Sequence, residues 1–108
     1  LEKSEVYALE LAKLQEIFRD IEPSKAKLCE GLVEEAAFLK AENYVLKKVL
    51  AVTGMVKIHP NNPELQKPTE AAKQYLKNLN LYAVVIKTLN GVLNKTITDD
   101  EDELGDFE

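Results

Sequence analysis

The chain has 108 residues, 45% hydrophobic and 31% charged, with a net charge of -5, one Cys and one His. That is the composition of a single globular domain, and it excludes collagen-like and low-complexity chains. One cysteine excludes an intramolecular disulfide and suits a reducing compartment. The charge is unevenly spread: residues 1–35 carry -4, residues 36–98 carry +6 and residues 99–108 carry -7. A basic middle thus lies between two acidic ends, placed to meet an anion. No run of about 18 apolar residues occurs, so no membrane span is expected. There is no leader pattern of basic start, apolar stretch and small-residue cleavage site, and cytoplasmic residence is the expectation. The opening at Leu1 rather than a methionine is the start expected of a trimmed or processed chain.

Ser4 is placed to cap a first helix over about residues 4–20, with Glu5 in its first turn. Tyr7, Leu11, Leu14, Phe18 and Ile21 recur at helical spacing and form its apolar face. Glu10, Lys13, Glu16, Arg19 and Asp20 take the polar remainder. Pro23 closes this helix or opens the next, because the residue before a proline is pushed out of helical geometry. So short a junction favours two helices packed as neighbours.

A second helix is expected over about 24–52, ended by Gly54. At 1.5 Å per residue it is roughly 43 Å long. A heptad register fits it, with Cys29, Ala36, Asn43 and Leu50 at one core position and Leu32, Leu39 and Leu46 at the other. Asn43 reads either as a register-fixing polar residue of the seam or as a solvated mid-helix Asn. Val33, Ala37, Phe38, Tyr44, Val45 and Val49 lie off the seam, so the helix is expected between two neighbours. One neighbour is the third helix and the other a second subunit.

Residues 54–68 hold the single His59 and three of the four prolines. They read as an extended loop, with Met55–Ile58 suited to a short extended piece. A loop of this length inside a compact domain tends to be functional. Thr69 caps a third helix running to about Asn94. Its stripe is the most regular in the chain: Ala72, Leu79, Ile86 and Leu93 in one row, Tyr75, Tyr82 and Leu89 in the other. Residues 99–108 are acidic and self-repelling, and are expected to be a disordered tail. Leu104 and Phe107, three apart, would face one way if the tail became helical on a partner.

No catalytic constellation is found. Cys29 sits on an apolar helical face and His59 in the central loop, so a nucleophilic pair is not expected. The Cys and His spacing of a zinc site is missing, as is a phosphate-cradling glycine loop. The chain reads as a non-enzyme without cofactor or metal. Lys47, Lys48, Lys57, His59 and Lys67 gather in and around the central loop and are the candidate DNA contacts. No Arg lies there, so bidentate base reading is not suggested.

The run from Leu28 to Leu93 resembles the phage terminase small subunit, in the short helical family of tailed phages and prophages. The matching elements are Glu34-Glu35-Ala36 and Tyr44-Val45-Leu46 on a long helix, then Gly54-Met55-Val56-Lys57 and His59-Pro60-Asn61-Asn62-Pro63. The final helix contributes Tyr82 through Leu93. The resemblance implies a non-catalytic packaging factor of the bacterial host's cytoplasm. Such a factor forms a ring, binds double-stranded viral DNA, and regulates or recruits the large ATPase and nuclease subunit.

The expected architecture is all-α: one domain over residues 1–98 built from a long antiparallel helical hairpin and an N-terminal helix. Heptad-like faces are expected to carry homo-oligomerisation, with Leu32, Leu39, Asn43, Leu46, Leu79, Tyr82, Ile86 and Leu89 as core or oligomer residues. Two alternatives stay open: a helical coiled-coil adaptor or scaffold without nucleic-acid binding, and a small dimeric DNA-binding regulator.

Overall fold

A computed structural model describes the backbone of residues 1–105 and the side-chain surroundings of residues 1–94. The elements follow in the order α1 (Lys3–Ile17), α2 (Pro23–Thr53), β1 (Val56–His59), β2 (Asn62–Pro68) and α3 (Glu70–Gly105). The chain is mostly α-helical, at 76%, with one small two-stranded sheet. Among the described residues no helix is long and apolar enough to cross a membrane. Leu104 and Phe107, the candidate partner contacts of the tail, lie outside the described side chains.

α1 starts a turn edge earlier than Ser4 suggests. Its N-cap is Glu2, whose backbone N–H donates to the Glu5 carboxylate at 3.3 Å. That returning carboxylate satisfies a terminal donor, half of the reciprocal arrangement common at helix starts. The helix buries Val6, Glu10 and Leu14, with Phe18 buried just past its end. The buried line is thus rotated from the expected one; Tyr7 and Leu11 are only half-buried.

α2 carries Pro at its first helical turn, where a missing N–H costs nothing. Its inner surface is built from small residues. Ala36 and Ala37 are fully buried, and Cys29 and Ala41 nearly so. These small side chains let α1 and α3 approach closely on two sides. Leu14, Phe18, Cys29, Val33, Ala36 and Leu89 form the core cluster, so all three helices meet there. The expected heptad seam of α2 therefore packs inside the chain: Leu39 and Asn43 are buried, and Leu32 and Leu46 half-buried. The Asn43 amide donates to the Tyr75 carbonyl at 3.3 Å, while its Oδ1 has no partner. On α3, Leu89 and Ala72 are buried and Tyr82 and Ile86 half-buried, but Leu79 is 44% exposed.

One charged residue lies inside this packing. Glu10 is 6% exposed, accepts the Tyr82 hydroxyl at 2.7 Å and pairs with Lys13 at 3.0 Å. It ties α1 to α3 through a charge-assisted bond, which keeps the buried carboxylate satisfied. Burial and the Glu10 carboxylate push the Tyr82 phenol up to about 12 from its ordinary 10. Below pH 10 the tyrosine is protonated whether folded or not. Between pH 10 and 12 the unfolded chain releases the proton more readily, so stability falls as pH rises through that window. Tyr82→Phe is expected to lower the urea stability at neutral pH by about 1–2 kcal/mol. It is also expected to flatten the loss above pH 10 relative to the parent; parallel curves would show that Tyr82 does not titrate in contact with Glu10.

Gly54 ends α2 with φ 75 and ψ 168, a conformation open essentially to glycine alone. A Cβ there would meet nothing within 4 Å, so the requirement is for the backbone and not for space. Gly54→Ala is expected to destabilise by about 1–3 kcal/mol from strain alone. An unchanged melting temperature would show that the junction relaxes freely.

Where the sequence suggests a loop over 54–68 with one short extended piece, two strands pair. They are antiparallel, with Val56 opposite Pro68, Lys57 opposite Lys67, Ile58 opposite Gln66 and His59 opposite Asn62. The register slips between Ile58 and His59. α3 also exceeds its expected end at Asn94 and runs through the acidic segment to Gly105, so the backbone over 99–105 is helical where disorder is expected. Extending a formed helix avoids the nucleation cost that an isolated acidic peptide would meet.

The molecule measures 73 × 30 × 16 Å with a radius of gyration of 19.5 Å. A compact chain of this length would have about 13 Å. The molecule is elongated for its length, and its three helices leave part of their apolar surface uncovered.

Candidate nucleic-acid interface

The paired strands form an arm that stands off the helices. Every residue from 51 to 68 is exposed. The arm's base is held by Thr69. Its backbone N–H donates to the Met55 carbonyl at 2.9 Å and its hydroxyl donates to the Gly54 carbonyl at 3.1 Å. The same hydroxyl oxygen accepts the Ala72 N–H at 3.2 Å, capping α3. One threonine thus starts a helix and clamps the arm to the end of α2.

Pro60 and Asn61 make the turn at the tip. His59 Nδ1 accepts the Asn61 N–H at 3.1 Å, and Asn62 Oδ1 accepts the Glu64 N–H at 3.3 Å. The neutral imidazole then carries its hydrogen on Nε2, a donor at the arm's tip.

Lys57 and Lys67 are cross-strand partners, so their side chains share one face of the arm. Like charges directly opposite destabilise a strand pair, and the arm has no buried residue to offset this. An anionic oxygen placed between the two ammonium groups removes the penalty and makes it an attraction. Lys57, His59, Lys67 and Lys73 also line an open cleft of about 920 Å³ between the arm and the start of α3. Lys73 is paired with Glu70 at 3.0 Å, and Glu70 brings a negative charge to the same cleft.

The candidate lysines therefore separate into two groups. Lys57, His59 and Lys67 converge on the arm and its cleft. Lys47 and Lys48 stay on α2 and do not line it. Lys48 lies 4.5 Å above the Tyr44 ring and donates to the Leu1 carbonyl at 3.3 Å. Lys40 lies 5.6 Å above the Tyr82 ring. An aromatic face holds a cation at this range, so both lysines have a structural task. Sequence reasoning missed the Lys57–Lys67 pairing because β2 was not recognised. No local signal marked it: Lys57 lies three residues before Pro60 and Lys67 four after Pro63, and the register slips between Ile58 and His59.

Among the described residues no three His, Cys, Asp or Glu side chains converge as a metal site would need. Cys29 is buried in the helical core while His59 is on the exposed arm. No protein-family model matches the chain, and no curated protein or solved structure matches it.

Proposed function

We propose that this chain is a non-catalytic DNA-packaging factor of the terminase small-subunit kind, acting in the cytoplasm of a bacterial host. It self-associates as a ring, holds double-stranded DNA by its phosphates, and regulates or recruits a large ATPase and nuclease subunit. The observation that carries the DNA part is Lys57 facing Lys67 on an arm whose residues are all exposed. A lysine pair reads phosphate charge and not base sequence, the mode suited to a factor that grips duplex wherever it is loaded.

The helices support the rest. Asn43 meets Tyr75, Lys40 meets Tyr82, and Val33 shares a cluster with Leu89. Falling numbers on α2 against rising numbers on α3 support a long antiparallel helical hairpin. Phe38, Val49, Leu79 and Val84 stay exposed on the helices, which supports self-association. Those same exposed residues favour the second reading, a helical adaptor that binds protein alone.

Native mass and duplex binding at graded salt separate the two. The packaging factor gives a discrete assembly larger than a dimer, with duplex affinity that falls steeply as salt rises. An assembly that ignores duplex DNA at low salt leaves the adaptor in place. A monomer that ignores DNA rejects both.

A further inference from the structure

Two exposed apolar lines, one on α2 and one on α3, differ in charge; Leu79, Leu81 and Val84 of α3 are exposed outside the second line. On α2, Phe38, Val45, Val49 and Val52 follow at spacings of seven, four and three, and are 51%, 36%, 39% and 87% exposed. These spacings set them in one line along the helix, and Gly31 lies one heptad before Phe38 on the same line. Glu34 and Glu35 flank that line. Lys48 is adjacent, but is turned onto the Tyr44 ring and the Leu1 carbonyl.

On α3, Leu76 is 46% exposed, and Ala83 one heptad on is exposed as well. Lys87 continues their line, and Lys77 lies beside it. Between Ala71 and Thr98 the sequence has no acidic residue at all. One face is therefore apolar with acidic flanks, the other apolar with basic flanks.

We infer that the Phe38–Val45 face of α2 in one copy packs on the Leu76–Ala83 face of α3 in the next, head to tail. Resting on the self-association proposed above, this names its two surfaces. Pairing α3 with α3 would set lysine against lysine. Pairing α2 with α2 would leave the α3 face uncovered. The α2-to-α3 contact covers both apolar lines at once and sets Glu34 and Glu35 toward lysines. Because its two sides differ, the contact repeats from copy to copy and closes a ring when the rotation allows.

The test uses two full-length double variants, Phe38→Glu with Val45→Glu, and Leu76→Glu with Ala83→Glu. All four positions are exposed, so far-UV circular dichroism is expected to stay at the parent's value. By native mass each variant alone is monomeric. An equimolar mixture gives a one-to-one heterodimer and nothing larger, because only one intact pair of faces exists in the mixture. The milder single variants Val45→Ser and Leu76→Ser each weaken assembly at least tenfold in a dilution series. A Leu76/Ala83 variant that still dimerises alone overturns the inference in favour of an α2-to-α2 contact. Parent-like assembly of both variants overturns the assigned faces and leaves self-association standing. A monomeric parent chain overturns both. Loss of duplex affinity in the Leu76/Ala83 variant with assembly intact assigns the α3 face to nucleic acid and also overturns it.

Discussion

Replacing Lys57 and Lys67 together by glutamine is expected to lower duplex DNA affinity at low salt by about one to two orders of magnitude. It also reduces the slope of log affinity against log salt by roughly 2 for each arm engaged. Glutamine keeps much of the length and the hydrogen-bonding end but removes the charge, so the loss measures phosphate neutralisation. In an assembly with several arms on one duplex the effect would multiply, because each loss would count again. Folding does not account for the change. The two lysines oppose one another across the strands, so neutralising them relieves repulsion and leaves the melting temperature equal or slightly higher. Lys47→Gln with Lys48→Gln is the comparison. Lys48 already lies on the Tyr44 ring, so this pair is expected to cost less affinity. Equal losses from the two pairs would remove the arm's special place, and an unchanged affinity in the arm variant would end the interface assignment.

The largest effect on stability is expected at Leu89. It is 2% exposed and is the largest fully buried side chain among the described residues, set against residues from all three helices. Leu89→Ala is expected to cost about 2–5 kcal/mol in urea unfolding, from lost burial plus the cavity left behind. A small domain has about 5–15 kcal/mol in total, so the variant stands near its limit of folding. Its neighbours Cys29 and Ala36 are short and rooted on a helix backbone, which restricts collapse into the space. A loss under about 1 kcal/mol would mean that the helices close over the gap and that the core is not held by this contact.

Much of the helical layout is legible in the sequence because its signals are local. Pro23 and Gly54 bound α2 within a residue of expectation, and Thr69 caps α3 as its chemistry requires. The arm is not legible. Pro63 and Pro68 take donors out of β2, and the slip at Ile58–His59 breaks its alternation, so no period of two survives in the sequence. Glu10 is hidden for another reason. A carboxylate in the middle of an apolar line reads as a solvated side chain, and only the arrival of Tyr82 from a residue far along the chain makes its burial tolerable. Leu79 shows what a stripe leaves open. Its row is regular, but periodicity does not say whether a core or a second copy covers it, and within this chain Leu79 is 44% exposed. On the arm, charge and position in the central loop make Lys57, His59 and Lys67 candidates, whereas the cross-strand register of Lys57 and Lys67 could come only from the fold.

The arm's irregular pairing also bears on what happens when many copies stand close together. A two-stranded ribbon has two open edges, and open edges invite neighbouring ribbons to zip into a common sheet. Here Pro63 and Pro68 leave gaps in the donors of β2, the slip twists the ribbon, and the lysine pair repels its own kind. Arms brought close together would therefore remain separate fingers instead of fusing into fibrous sheet.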